Sequence, residues 1–149
     1  MDGSRSGTLR ITPNAVRVGC RAATKADAID QCGRLLVALG AVEPGYVSAM
    51  HERERSVSTH IGEGVAIPHG TGAARDLVRR TALSVLLFPD GVDWDGDDVR
   101  VAIGIAAAGR EHMAALSALA RILSHPDRAE RLRQATSPAT VVDLLRPLG

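Results

Sequence analysis

Residues 60–70 read HIGEGVAIPHG, with His60 and His69 enclosing Gly62, Gly64 and Pro68, and Gly70 following. A histidine between Pro68 and Gly70, at the end of the apolar run Val65 to Ile67, is oddly placed for a core residue, because its small neighbours clear space around the ring. That space suits a metal, a nucleotide, or a phosphoryl group carried on the ring itself. For a metal, the chain offers His51, His60, His69, His112 and His125. HERER at 51–55 begins like the H-E-x-x-H signature, but Arg55 sits where the second ligand belongs. A long-range set of His60, His69 and His112 has no short-spaced ligand pair to support it, so no metal is expected. For a nucleotide, Gly62 and Gly64 form G-x-G, yet Ile67 takes the third glycine position and no Lys-Ser or Lys-Thr pair closes a P-loop.

A phosphate reading accounts for more of the segment. Gly70 can adopt backbone angles closed to other residues, so that the amides of Gly70, Thr71 and Gly72 turn toward an anion beside the His69 ring. With an ordinary pKa of about 6.5, much of an imidazole is unprotonated near neutral pH and nucleophilic. His69 can therefore take a phosphoryl group and pass it on. His112 falls in the first turn of its expected helix, after Glu111, where free amides attract anions. Periodicity alone reads it first as a capping or core-edge histidine. Arg53 can offer a fork of donors to a phosphate, although a helix arginine by itself is a solvated charge. His51, His60 and His125 read as exposed or loop residues.

The elements that must position these groups follow from pattern. VRVGCRA at 16–22 reads as a short strand. TKADAIDQCGRLLVALG gives a helix with Thr24 as N-cap, a stripe of Ile29, Cys32, Leu36 and Leu39, and Gly40 as terminator. Pro44 opens a second helix through GYVSAMHERE. Residues 56–72 read as a loop leading into a strand that ends at His69. TALSVLLF and VRVAIGIAA are buried strands, and PDGVDWDGDD between them reads as an acidic loop. Beyond Gly109 the pattern is helical: His112, Leu116, Leu119 and Leu123 share one face, and Pro126 and Pro138 open two closing helices. Helices before, between and after apolar strands predict an α/β sandwich around a mixed sheet. Residues 1–9 read as a flexible leader, and 10–149 as one domain.

Composition narrows the function. The chain has 149 residues, with 18 Lys plus Arg against 17 Asp plus Glu, a net charge of +1. No basic block and only three aromatics, Tyr46, Phe88 and Trp94, argue against nucleic acid and membrane surfaces as partners. Cys20 and Cys32 match neither a C-x-x-C motif nor paired zinc ligands and read as reduced thiols. With no apolar stretch of signal-peptide or membrane-spanning length, a cytoplasmic location is expected.

The stretch YVSAMHERERSVSTHIGEGVAIPHGT closely resembles the enzyme IIA domain of the mannitol and fructose type in the bacterial phosphoenolpyruvate-dependent sugar phosphotransferase system. The resemblance rests on Tyr46, Arg53 and Glu54, Ser58 and Thr59, and Gly64 to Gly70, and VAIGIAAAGREHMAALSALARIL extends it to about residues 10 to 147. It implies a three-layer sandwich with a central mixed sheet of about five strands. It also implies that His69 accepts the phosphoryl group from the histidine phosphocarrier protein HPr, on the tele nitrogen, and gives it to a cysteine of enzyme IIB. His112 would stabilise the phosphoryl group and Arg53 assist its transfer. Gly64, Gly70 and Thr71 would form the phosphate loop, with no cofactor. His60 stands where an aromatic is common, and Glu63 where Asn is frequent; Glu63 is expected to face solvent, away from the phosphate.

The resemblance further implies that the sugar is recognised by a separate membrane component, enzyme IIC, reached through IIB. The GVDW turn, the IGIAA strand and the Glu111–His112 pair look more like mannitol-type members than fructose-type ones. The alternatives are a fructose-specific enzyme IIA, a nitrogen-related regulatory enzyme IIA acting through phosphorylation-dependent binding, and, more distantly, a metal-dependent hydrolase.

Overall fold

A computed structural model describes residues 11–146. The leader expected at 1–9 lies outside the described residues. The chain forms five strands, β1 (Val16–Arg17), β2 (His60–Gly62), β3 (Val65–Ala66), β4 (Ala82–Trp94) and β5 (Asp97–Ala106). Five helices accompany them, α1 (Lys25–Ala38), α2 (Tyr46–Ser56), α3 (Arg110–Leu123), α4 (Pro126–Arg133) and α5 (Pro138–Leu144). The strands make one mixed sheet in the order β1-β4-β5-β3-β2. β1 runs parallel to β4 and β3 parallel to β5, while the β4–β5 and β2–β3 pairs are antiparallel.

Alternation along the strands explains the layers. Leu83, Val85 and Leu87 of β4, with Val101, Ile103 and Ile105 of β5, face a core closed by Ala115, Leu119 and Ile122 of α3, Leu132 of α4 and Val141 of α5. Leu86, Phe88, Ala102 and Ala106 face the opposite way, onto Ile29, Cys32 and Leu36 of α1 and Tyr46 and Met50 of α2. Because both faces are apolar, helices must cover both, and the three-layer sandwich follows.

Local chemistry sets the ends of α1. The Thr24 side chain accepts a hydrogen bond from the Asp27 amide (3.0 Å), and the Asp27 carboxylate reaches back to the Ala23 amide (3.2 Å). At the other end Gly40 takes φ 73°, its amide bonds Val37 O and the Ala41 amide bonds Leu36 O, a Schellman closure.

Two expectations are corrected. PDGVDWDGDD is largely strand: after a register irregularity between Leu87 and Val92, β4 continues to Trp94 and pairs again with β5. Val92 and Trp94 are buried, and the turn is only Asp95–Gly96, both at positive φ. The acidic residues masked the alternation, because they occupy the outward positions. The segment 56–72 is likewise not a plain loop, since His60–Gly62 forms β2, folded back on β3 through Glu63 and Gly64. β3 ends at Ala66, and His69 rejoins the sheet by a single parallel bridge to Ile105.

Candidate active site

Three elements converge where β3 leaves the sheet. His69 sits just beyond β3 and is buried, with 5% of its surface exposed. Its Nδ1 lies 2.8 Å from the Ile67 carbonyl oxygen. A carbonyl only accepts, so Nδ1 carries the proton and Nε2 keeps its lone pair. The His112 ring, in the first turn of α3, lies with its centroid 4.8 Å from that of His69 at 61°. Arg53 comes from the last turn of α2, where its Nη1 donates to the helix-capping Val57 carbonyl (2.6 Å), and its charge acts on both imidazoles.

Burial holds the pKa of His69 below the ordinary imidazole value, the bond to Ile67 O works against this, and the nearby His112 and the Arg53 guanidinium add to the lowering. His112 is lowered too, first by burial and then by Arg53. Both rings are therefore held neutral, as a nucleophile requires. Beside His112, and next along the chain from His69, lies a cavity of about 220 Å³ lined by Gly70, Thr71, Arg75, Gly109, His112 and Met113, among others. Gly109 caps α3 without a side-chain bond, so the first amides of that helix face this end.

The glycines behave differently from expectation. Gly70 does not take a positive φ, and its amide donates to the Tyr46 hydroxyl (2.9 Å) rather than pointing at an anion. A Cβ at Gly70 would lie 2.6 Å from Tyr46 Cε1, so close approach and not unusual dihedrals requires glycine here. Thr71 borders the cavity. Gly64 does not: at φ 73° it turns β2 into β3, and its carbonyl accepts from the Arg100 and Val101 amides. Glu63 is exposed, as expected, with its carboxylate 3.6 Å from Arg133.

The other histidines have separate neighbours. His51 pairs with Asp30 (3.0 Å), His60 with Asp97 (3.4 Å), and His125 is exposed before α4. Among the described residues no group of three or more His, Cys, Asp or Glu is arranged to hold a metal. His51 and His60 are half-buried rather than exposed, because each lies against another element of the fold.

Pattern reading gave no role to Tyr46 and Glu54. Glu54 is buried and accepts from the Thr59 amide (3.0 Å), the Thr59 hydroxyl (2.5 Å) and Trp94 Nε1 (3.0 Å), with Lys25 Nζ at 3.5 Å. It ties the end of α2 to the segment before β2 and to the β4–β5 hairpin. Helical spacing was the available signal, since 46, 49, 50 and 54 fall on the inward stripe of α2.

Comparisons with known proteins agree with this geometry. Residues 10–147 match the family described as phosphoenolpyruvate-dependent sugar phosphotransferase system, EIIA 2. The mannitol-specific phosphotransferase enzyme IIA component of Halalkalibacterium halodurans is 44% identical over 135 residues, 91% of this chain and 93% of that protein. The crystal structure of IIA mannitol from Escherichia coli superposes with TM-score 0.86 at 39% identity, covering 91% of this chain and 99% of that one. Enzyme IIA of mannitol from Escherichia coli, in its complex with phosphorylated enzyme IIB, gives TM-score 0.88 at 38% identity over 93% of this chain and 98% of that one. The chain belongs to the EIIA type 2 family of the phosphoenolpyruvate-dependent sugar phosphotransferase system and is a phosphotransferase component of it.

Proposed function

We propose that residues 10–147 form a cytoplasmic mannitol-specific phosphocarrier, in which His69 Nε2 takes a phosphoryl group from phosphorylated HPr and passes it to a cysteine of enzyme IIB, and through it serves enzyme IIC. The observation that carries this reading is the Nδ1–H bond from His69 to Ile67 O, which leaves Nε2 as the nucleophile beside His112. The first transfer breaks the P–N bond at the donor histidine and forms one at His69 Nε2, while the proton stays on Nδ1, donated to Ile67 O. The second breaks that bond and forms a P–S bond to the partner's thiolate. Both are in-line displacements driven by positioning and charge stabilisation.

His112 and the Thr71 side of the cavity hold the phosphoryl oxygens, and Arg53 offsets charge as the donor leaves. Mannitol is favoured by the mannitol-specific relatives and by the likeness to the Escherichia coli mannitol enzyme IIA in its complex with phosphorylated enzyme IIB. The large exposed hydrophobics among the described residues are Val57, the C-cap of the helix that carries Arg53, Ile61 of β2, and Met113 of α3 beside His112. Met113 borders the cavity beside His112 and offers apolar surface to a docking partner.

The test is incubation with phosphoenolpyruvate, enzyme I and HPr, followed by mass spectrometry. The expected product gains one acid-labile phosphoryl group; His69→Ala gains none, and His112→Ala gains it about a hundredfold more slowly. An unmodified wild-type protein overturns the reading. Transfer onward to mannitol but not fructose, with membranes carrying each permease, tests the sugar.

A further inference from the structure

The β3–β5 ladder pairs Val65 with Val101 and Ala66 with Ala102, and the bridge of His69 to Ile105 continues it in the same register. In a parallel ladder of this register, residue 68 next donates toward β5, then residue 70 donates to the Ile105 carbonyl. Neither bond is made directly with full hydrogen-bond geometry, although His69 and Ile105 still count as a bridged pair. Pro68 has no N–H to give. At residue 70 the Tyr46 hydroxyl stands in between: it accepts from the Gly70 amide at 2.9 Å and donates to Ile105 O at 2.8 Å. The well-formed direct bond between the two segments at this point is the one from the Ile105 amide to Pro68 O, at 2.9 Å.

We infer that Tyr46 is a positioning residue for His69: its hydroxyl, inserted into the ladder, holds the chain open around the histidine and so sets the ring against Ile67 O and His112. The inference rests on the proposed role of His69 only for its kinetic consequence. Tyr46 is 2% exposed, its ring packs against the Cα of Gly70, and its hydroxyl spends both donor and acceptor capacity within the protein. A tyrosine needed only to fill the core has no cause to interrupt a ladder. Without the hydroxyl, the Gly70 amide and the Ile105 carbonyl are left facing each other and can close directly, which draws Gly70 onto β5 and turns the His69 ring away.

The experiment compares the full chain with Tyr46→Phe by nuclear magnetic resonance and by kinetics. The wild type is expected to show no hydrogen-bond scalar coupling between the Gly70 amide nitrogen and the Ile105 carbonyl carbon, and a slowly exchanging Tyr46 hydroxyl proton close to the Gly70 amide. It should also show His69 with the proton on Nδ1. In Tyr46→Phe the direct coupling appears, the Nε2–H tautomer gains population, and the turnover number for phosphoryl acceptance falls at least tenfold while the KM for the phosphorylated donor is unchanged. A direct Gly70–Ile105 coupling in the wild type overturns the inference, and that measurement stands even if the variant does not fold. So do unchanged His69 ring nitrogen shifts in a folded variant. If the wild type takes up no phosphoryl group, the functional reading fails, whereas the coupling and tautomer measurements still decide the role of Tyr46.

Discussion

At the residue scale, neutrality of a buried histidine is the property on which the proposed transfer depends. His69 and His112 are both held below the ordinary imidazole pKa, first by burial, with Arg53 adding to each. The acid limb of the rate of phosphoryl acceptance is therefore expected below about pH 6.5. Arg53→Gln should move that limb upward in pH as well as slow transfer, which rates measured between pH 5 and 8 would reveal. Gly70 makes a second case. A Cβ 2.6 Å from Tyr46 Cε1 must displace a buried ring, so Gly70→Ala is expected to cost about 1–3 kcal/mol in a denaturant titration. Gly72→Ala, with nothing within 4 Å of the added carbon, should change stability by less than about 0.5 kcal/mol.

At the scale of elements, Glu54 determines where Arg53 can be. Its carboxylate gathers Thr59, Trp94 and Lys25, so that the C-terminus of α2, the entry to β2 and the β4–β5 hairpin meet at one buried group. Replacement by alanine strands those donors without an acceptor. Glu54→Ala is expected to lose about 3 kcal/mol of stability. Trp94 is the sole tryptophan of the chain, buried and bonded to Glu54, so its fluorescence follows both the unfolding and the loosening of the hairpin directly. An unchanged midpoint and an unchanged emission would show that the carboxylate is dispensable.

At the scale of the molecule, the same two histidines link folding to pH. Their folded pKa values lie below those of the unfolded chain, so the unfolded state binds more protons as pH falls. Their contribution is fully present above about pH 6.5 and is lost progressively as pH falls through the lower, folded values. Thermal unfolding of the wild type should therefore weaken below that pH more than that of the His69→Ala, His112→Ala double variant. Cys32 adds nothing over this range, because burial pushes its thiol up to about 12.

What the sequence by itself determined is chiefly what short-range rules govern. The periodicity of α1, its Thr24 and Gly40 ends, the two apolar strands and the helical C-terminal third follow from side-chain alternation and capping over a few residues. So does the singularity of His69, between a proline and a glycine. The resemblance implied the tele nitrogen of His69, but only the tertiary structure supplied the reason it is free, a carbonyl aimed at Nδ1. The tertiary structure also decided that Gly70 is small because of Tyr46, far from it along the chain but in direct contact with it where α2 packs against the end of β3. Hydrophobic pattern carries no information about such pairings. It misread the acidic β4–β5 hairpin for the same reason: Trp94 and Glu54 complete each other only when the hairpin folds onto α2.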